Sequence, residues 1–249
     1  MTSARRAAVV GGLLYLVTHV TSVAALVLYE PVLKHTDYVV GPGPDTGVLV
    51  GALLEVILAL TVVGTAVALF PVVKRHNEGA ALGYVGLRTL EAGVIAVGVV
   101  PLLALVTLRH DLAGTAGSDA TTLASALVAF HNWTFMIGPS FVCGTNTVLL
   151  AYPLYRSGLV PRFIPVLGLT GGPLVFASGA AQMFGVYEQF SAWAALAAVP
   201  VFAWEICLAL YLILKGFRPS VAAGPTAVPS GASAHPAPSE TAAVRSASR

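Results

Sequence analysis

Arg88 and Glu91 stand three residues apart inside an apolar run, so on a helix a guanidinium and a carboxylate share one face. Two more carboxylates, Glu55 and Glu205, lie within other apolar runs. All four fall at least ~10 Å from the nearer end of their runs, at about 1.5 Å of rise per residue. A charge at such depth costs about 2.5–3.5 kcal/mol on the insertion scale. Residues of this kind turn inward, find partners and commonly mark ion or solute pathways. Their chemistry is ion pairing and proton exchange. With every group ionised, three acids and one base sum to −2. A low dielectric does not sustain that charge, so one or two carboxyls are expected to be protonated or hydrogen-bonded to neutral donors. Glu91 alone cannot satisfy the five donors of Arg88. Glu55 or Glu205 from another segment is expected to complete the arrangement.

A second polar set is spread over two other runs. His131-Asn132-Trp133-Thr134 precedes Gly138-Pro139-Ser140 and Thr145-Asn146-Thr147. Pro139 removes a backbone donor and frees the carbonyl of Phe135, which predicts a kink or break. His19, at intermediate depth in the first run, could meet His131. Two histidines without a flanking motif do not specify haem or metal, and no metal or cofactor is expected. Ser140 and His131 could suggest serine hydrolysis. Nine residues of helix separate them by ~13 Å of rise, which argues against it. The chain carries neither a metalloprotease nor a P-loop signature.

The segments that position these residues follow from composition. Of 249 residues, 57% are hydrophobic and only 10% charged. Soluble domains carry about 25% charged residues. This excludes a soluble enzyme, a nucleic-acid binder and a disulfide scaffold, and implies an integral membrane protein. Cys143 and Cys207 both fall in apolar runs and do not suggest a disulfide. Six runs have the length of a membrane helix: Ala7–Leu28, Gly47–Val73, Ala80–Leu108, Leu123–Tyr155, Phe163–Phe184 and Ala192–Leu214. The first is read as a retained helix rather than a signal peptide, because its apolar stretch is too long. Glycines spaced Gly-x-x-x-Gly, at Gly47/Gly51, Gly79/Gly83 and Gly168/Gly172, predict close helix contacts inside the bundle.

Orientation follows from flanking charge. Arg5, Arg6, Lys74, Arg75, Arg156, Arg162, Lys215 and Arg218 fall on one side, against Lys34 and Arg109 on the other. By the positive-inside rule both termini are expected in the cytoplasm, with the protein in the cytoplasmic membrane. The segment Tyr29–Thr46 is expected to be a loop. Its acids are read as solvating groups, with a cation site at Glu30, His35 and Asp37 as a weaker alternative. The layout is therefore a tail over 1–6, a transmembrane domain over 7–218 and a tail over 219–249. The last is rich in Ala, Ser and Pro and is expected to be disordered.

Tyr155-Arg156-Ser157-Gly158-Leu159-Val160-Pro161-Arg162 leads into a span containing Gly171-Gly172-Pro173-Leu174. Trp204-Glu205 and Lys215-Gly216-Phe217-Arg218-Pro219 follow. Upstream are Gly64-Thr65-Ala66-Val67-Ala68-Leu69 and Leu82-Gly83-Tyr84, then Arg88 and Glu91. In this order the chain resembles, over roughly 7–219, the bacterial membrane family called Domain of Unknown Function 4386. The resemblance implies a multi-span membrane protein without an established activity, and it supplies no catalytic residues.

The expected fold is all-α: six transmembrane helices in one bundle. The leading functional expectation is binding or transport of a small solute, proton-coupled through Glu55, Arg88, Glu91 and Glu205, with His19, His131 and Asn132 secondary. A non-catalytic scaffold with a structural polar network is the alternative, and a lipid-acting enzyme is third. The residue set leans away from an enzyme. The bilayer is the expected partner, with a small-molecule ligand and no nucleic acid. Oligomeric state stays open.

Overall fold

The computed structural model describes residues 2–34, 38–40, 44–111 and 118–218. They form seven α-helices: α1 (Ser3–Lys34), α2 (Thr46–Val73), α3 (Glu78–Asp111), α4 (Ser118–Met136), α5 (Cys143–Ser157), α6 (Phe163–Met183) and α7 (Ala192–Leu214). A π-helical segment, Ile137–Val142, joins α4 to α5, so Asp119–Ser157 runs as one 39-residue span. Six segments are thus long and apolar enough to cross a membrane, and the protein is an all-α, multi-pass membrane bundle. Large apolar side chains such as Val20, Leu60, Val67, Val100, Leu196 and Leu214 point outward and exposed. That surface suits hydrocarbon rather than water.

The spans pack in chain order. Each seats against the next, and α7 returns to α1, which closes a ring. Small residues set the spacing. A Cβ on Gly144 would stand 2.6 Å from the Gly172 carbonyl oxygen, and one on Gly172 would stand 2.5 Å from that of Gly144. The backbones of α5 and α6 therefore touch. A Cβ on Gly12 would meet the Ala209 carbonyl oxygen at 2.7 Å, so α1 and α7 approach as closely.

One end of the ring is tightly filled. Tyr15, Leu69, Leu150, Leu154, Ile164, Trp204, Leu208 and Leu212 are buried together there. At the same end Arg5 donates to the carbonyls of Leu212 (3.0 Å) and Ile213 (2.7 Å), satisfying the last turn of α7. The Arg156–Arg162 stretch also has a physical reading. Gly158 ends α5 in the left-handed region (φ 65°). Val160 then buries fully, and the Leu159 carbonyl accepts from the Arg218 N–H at 2.8 Å.

Two local expectations change. The helix α1 continues past Leu28 to Lys34, so Glu30 is helical and pairs with Lys34 at 2.6 Å. That i,i+4 pair supports an exposed helix end. The fourth span does not break at Pro139; it widens into a π turn that absorbs the missing donor. The tail 219–249, the residues 35–37 with the candidate cation ligands His35 and Asp37, and the residues 41–43 lie outside the described residues.

Close backbone contact makes a contrast testable. Gly144→Leu should destabilise the detergent-solubilised protein by about 1–3 kcal/mol through overpacking. Gly93 faces outward with nothing within 4 Å of an added Cβ. Gly93→Leu should leave the melting temperature unchanged. Equal losses in the two variants would contradict the packing order.

Candidate functional site

Arg88 occupies the middle of the ring. Its Nη1 donates to Glu91 Oε2 at 3.2 Å, one turn along α3. Its Nη2 donates to Glu205 Oε1 on α7 at 2.7 Å and to the Tyr15 hydroxyl on α1 at 3.0 Å. Its Nε donates to the Tyr84 hydroxyl at 3.3 Å. Four of the five guanidinium N–H donors therefore end on oxygens. The guanidinium also lies 5.1 Å from the Tyr15 ring centre and 5.6 Å from that of Tyr84. Asn146 on α5 donates to Glu91 Oε2 at 2.7 Å.

The hydroxyl protons in this centre have one consistent arrangement. Thr65 on α2 donates to the Val62 carbonyl at 2.7 Å, so its oxygen can only accept from Tyr84, at 3.4 Å. Tyr84 then accepts from Tyr15, whose hydroxyl is 2.7 Å away. Both tyrosine oxygens also accept from Arg88. Side chains from α1, α2, α3, α5 and α7 thus meet in one network.

His19 borders this centre. Its Nδ1 lies 2.8 Å from the Tyr15 carbonyl oxygen, which only accepts, so Nδ1 carries hydrogen. Nε2 faces Glu205 Oε2 at 3.5 Å. Two lone pairs facing each other would repel. A proton between them would be shared, as imidazolium with carboxylate or as imidazole with carboxylic acid. With all three ionised, Arg88, Glu91 and Glu205 sum to −1, and one such proton would bring the centre to zero.

Above the centre the ring is open. A cavity of about 460 Å³ reaches from Arg88, Glu91, Glu205 and His19 towards Gln189, Phe190 and Ser191, at the end opposite the packed core. Its walls are mainly apolar: Leu26, Leu58, Val62, Ile95, Phe135 and Phe202. The opening follows from side-chain volume along α7. Trp204, Leu208 and Leu212 fill the closed half, whereas Ala194, Ala195 and Ala198 line the cavity.

Not every sequence candidate joins. Glu55 accepts from the Tyr29 hydroxyl at 3.1 Å and neither pairs with Arg88 nor lines the cavity. Its position along α2 turns it to a neighbouring tyrosine of α1, so Glu205 supplies the second carboxylate. His131 does not meet His19. Its Nδ1 lies 2.8 Å from the Gly98 carbonyl oxygen, and its ring packs edge-on to Tyr29 at 5.5 Å. The Asn132 carbonyl accepts from Gln189 at 3.3 Å, and its side chain lines a separate cavity of about 160 Å³. Tyr15, Tyr84, Thr65 and Asn146 complete the centre. For the two tyrosines the signal was spacing: Tyr84 stands one turn before Arg88, and Tyr15 one turn before His19.

Comparison with known families fits this arrangement. A family model matches residues 10–216, which include all the residues of the polar centre. The chain belongs to the family Domain of unknown function (DUF4386). No curated protein and no solved structure matches it.

This DUF4386 chain carries a second ionic cluster near the open end. Asp45, just before α2, bonds Arg109 of α3 and accepts from the Tyr38 hydroxyl at 2.6 Å. His110 Nε2 lies 3.0 Å from its other oxygen. The Arg109 guanidinium covers the Tyr38 ring at 4.6 Å. Burial works to raise the Asp45 carboxyl, but bonds from Tyr38 and Arg109 and the charge of Arg109 outweigh it and hold it below its usual range. Burial, with the Asp45 bond and charge, pushes the Tyr38 hydroxyl up to about 12, so it stays a donor at neutral pH. A lowered carboxyl stabilises above its unfolded value of about 3.9 and loses that contribution as pH falls through the lower folded value. Protection of the amides in the first turn of α2, measured against their intrinsic exchange rates, should therefore fall below about pH 4 in the wild type. Asp45→Asn should have low protection already at neutral pH and show no such step. A step retained in that variant would contradict the cluster's role.

Proposed function

We propose that this protein binds a small solute in the open cavity and couples its binding or movement to protons through the Arg88 centre. The cavity carries this reading. It is large enough for a small molecule, its walls are apolar, and ionisable groups are confined to its floor. An apolar body would lie against Leu58, Ile95 and Phe202, with a polar head facing His19, Glu91 and Glu205. The packed core beneath the floor closes the path to the other end. Passage across the membrane would therefore need a second arrangement of the helices, and the π turn beside the cavity is a candidate place for that change.

Flanking charge supports both termini in the cytoplasm and residence in the cytoplasmic membrane. The cavity then opens to the outside. A scaffold role has its own support in the Tyr15–Tyr84–Thr65 chain, whose hydrogen bonds point one way and fix three spans. Under that reading the cavity would be incidental.

A ligand screen separates the two. A solute that binds the folded state at a hundred times its Kd stabilises it by about 2.7 kcal/mol. Small amphiphilic solutes added to purified protein should include at least one that raises the melting temperature. Ala198→Trp, which fills the cavity without touching the floor, should abolish that rise. No stabilising solute, or an undiminished rise in Ala198→Trp, would favour the scaffold.

A further inference from the structure

We propose that the solute is a monovalent organic cation, taken up in exchange for the proton held between His19 and Glu205. This rests on the reading that the cavity is a ligand site. The argument is one of charge. Without the shared proton the floor carries −1, from Arg88, Glu91 and Glu205. A buried site in a membrane stays near neutrality. A neutral ligand gives the proton no reason to leave, and an anion would need a further proton to enter. Only a ligand with one positive charge both replaces the proton and restores zero.

The geometry leaves room for that replacement. Oε1 of Glu205 is held by Arg88 at 2.7 Å, whereas Oε2 faces His19 across 3.5 Å. A charge-assisted bond to nitrogen is about 2.7–2.9 Å, so Oε2 is loosely held, and both His19 and Glu205 line the cavity. The groups facing this pair are Tyr15 from α1, Tyr84, Arg88 and Glu91 from α3, and Cys143 from the start of α5. The linings contributed by α2 and α6, among them Val62 and Ser178, bring no titratable side chain. Phe135, Phe190 and Phe202 line the cavity, and aromatic rings there suit an organic cation, because aromatic faces attract positive charge. A hard metal ion asks for six or more oxygens, and the walls are mainly carbon. On binding, the N–H bond at His19 Nε2, or the O–H bond of Glu205, breaks. Its proton leaves through the cavity to water, while the cation sits against Oε2. No electrons are transferred.

The test uses the full-length protein in weakly buffered detergent with three matched probes. These are phenyltrimethylammonium, its neutral carbon analogue tert-butylbenzene, and benzenesulfonate. Phenyltrimethylammonium has no proton of its own, so any proton released comes from the protein. The expected result is binding of the cation alone, with about one proton released per cation and affinity rising about tenfold per pH unit while the pair is protonated. Glu205→Gln should abolish the release. If that variant does not fold, His19→Gln should cut it below half at neutral pH. Binding of the sulfonate or the neutral analogue at equal strength would overturn the exchange. So would cation binding without proton release, or equal release on adding sodium chloride. If no probe binds at all, the cavity itself is not a ligand site, which is a different failure.

Discussion

A guanidinium held in the middle of a membrane bundle must find its acceptors from the protein, and this fold is organised around that demand. Removing such an ion from water costs several kcal/mol even after relaxation. Arg88 meets the demand with oxygens from three spans, α1, α3 and α7. The helix α7 packs on α6 and α1, so its tie to α3 runs through Glu205 and Arg88. The ring is thus closed twice, once around its rim by helix contacts and once across its middle by an ionic bridge.

The bridge also decides where the ring can open. On one side of Arg88 the interior is filled by Trp204, Leu208, Leu212 and their neighbours. On the other, alanines of α7 and Ser178 of α6 leave space that no side chain fills. The ionic centre is therefore a floor, with a packed core below and a cavity above. The same network explains why a merely structural centre is a serious rival. Each hydroxyl proton in the Tyr15–Tyr84–Thr65 chain has one place to go, and such order rigidifies a bundle whether or not anything binds above it.

Much of the fold was legible in the sequence, because apolar length and residue spacing are one-dimensional signals. The six spans and the sharing of one face by Arg88 and Glu91 follow from them. The order in which spans neighbour each other does not, since every run offers similar apolar surface to every other. That is why Glu55 could not be separated from Glu205. Both sit at depth on other spans, and only the rotation of α2 turns Glu55 to Tyr29. The pairing of His19 with Glu205 rather than with His131 depends on the α1–α7 contact at Gly12, which no local pattern announces. Pro139 signalled an irregularity but not its kind. A π turn and a break both relieve a lost backbone donor, and the choice is made by packing against α3 and α6. The cavity had a faint signature in the small residues of α7 before Phe202 and the large ones from Trp204 onward.

A double-mutant cycle between Arg88 and Glu205 tests the central bridge most directly, with unfolding of the purified protein as the readout. Arg88→Met and Glu205→Leu should each cost about 3–5 kcal/mol, because each strands a buried charge. The double variant strands less, so its loss should fall short of the sum by at least about 1 kcal/mol. Strictly additive losses, or single losses of only a few tenths of a kcal/mol, would mean that the two groups do not meet in the membrane and that the floor described here does not exist.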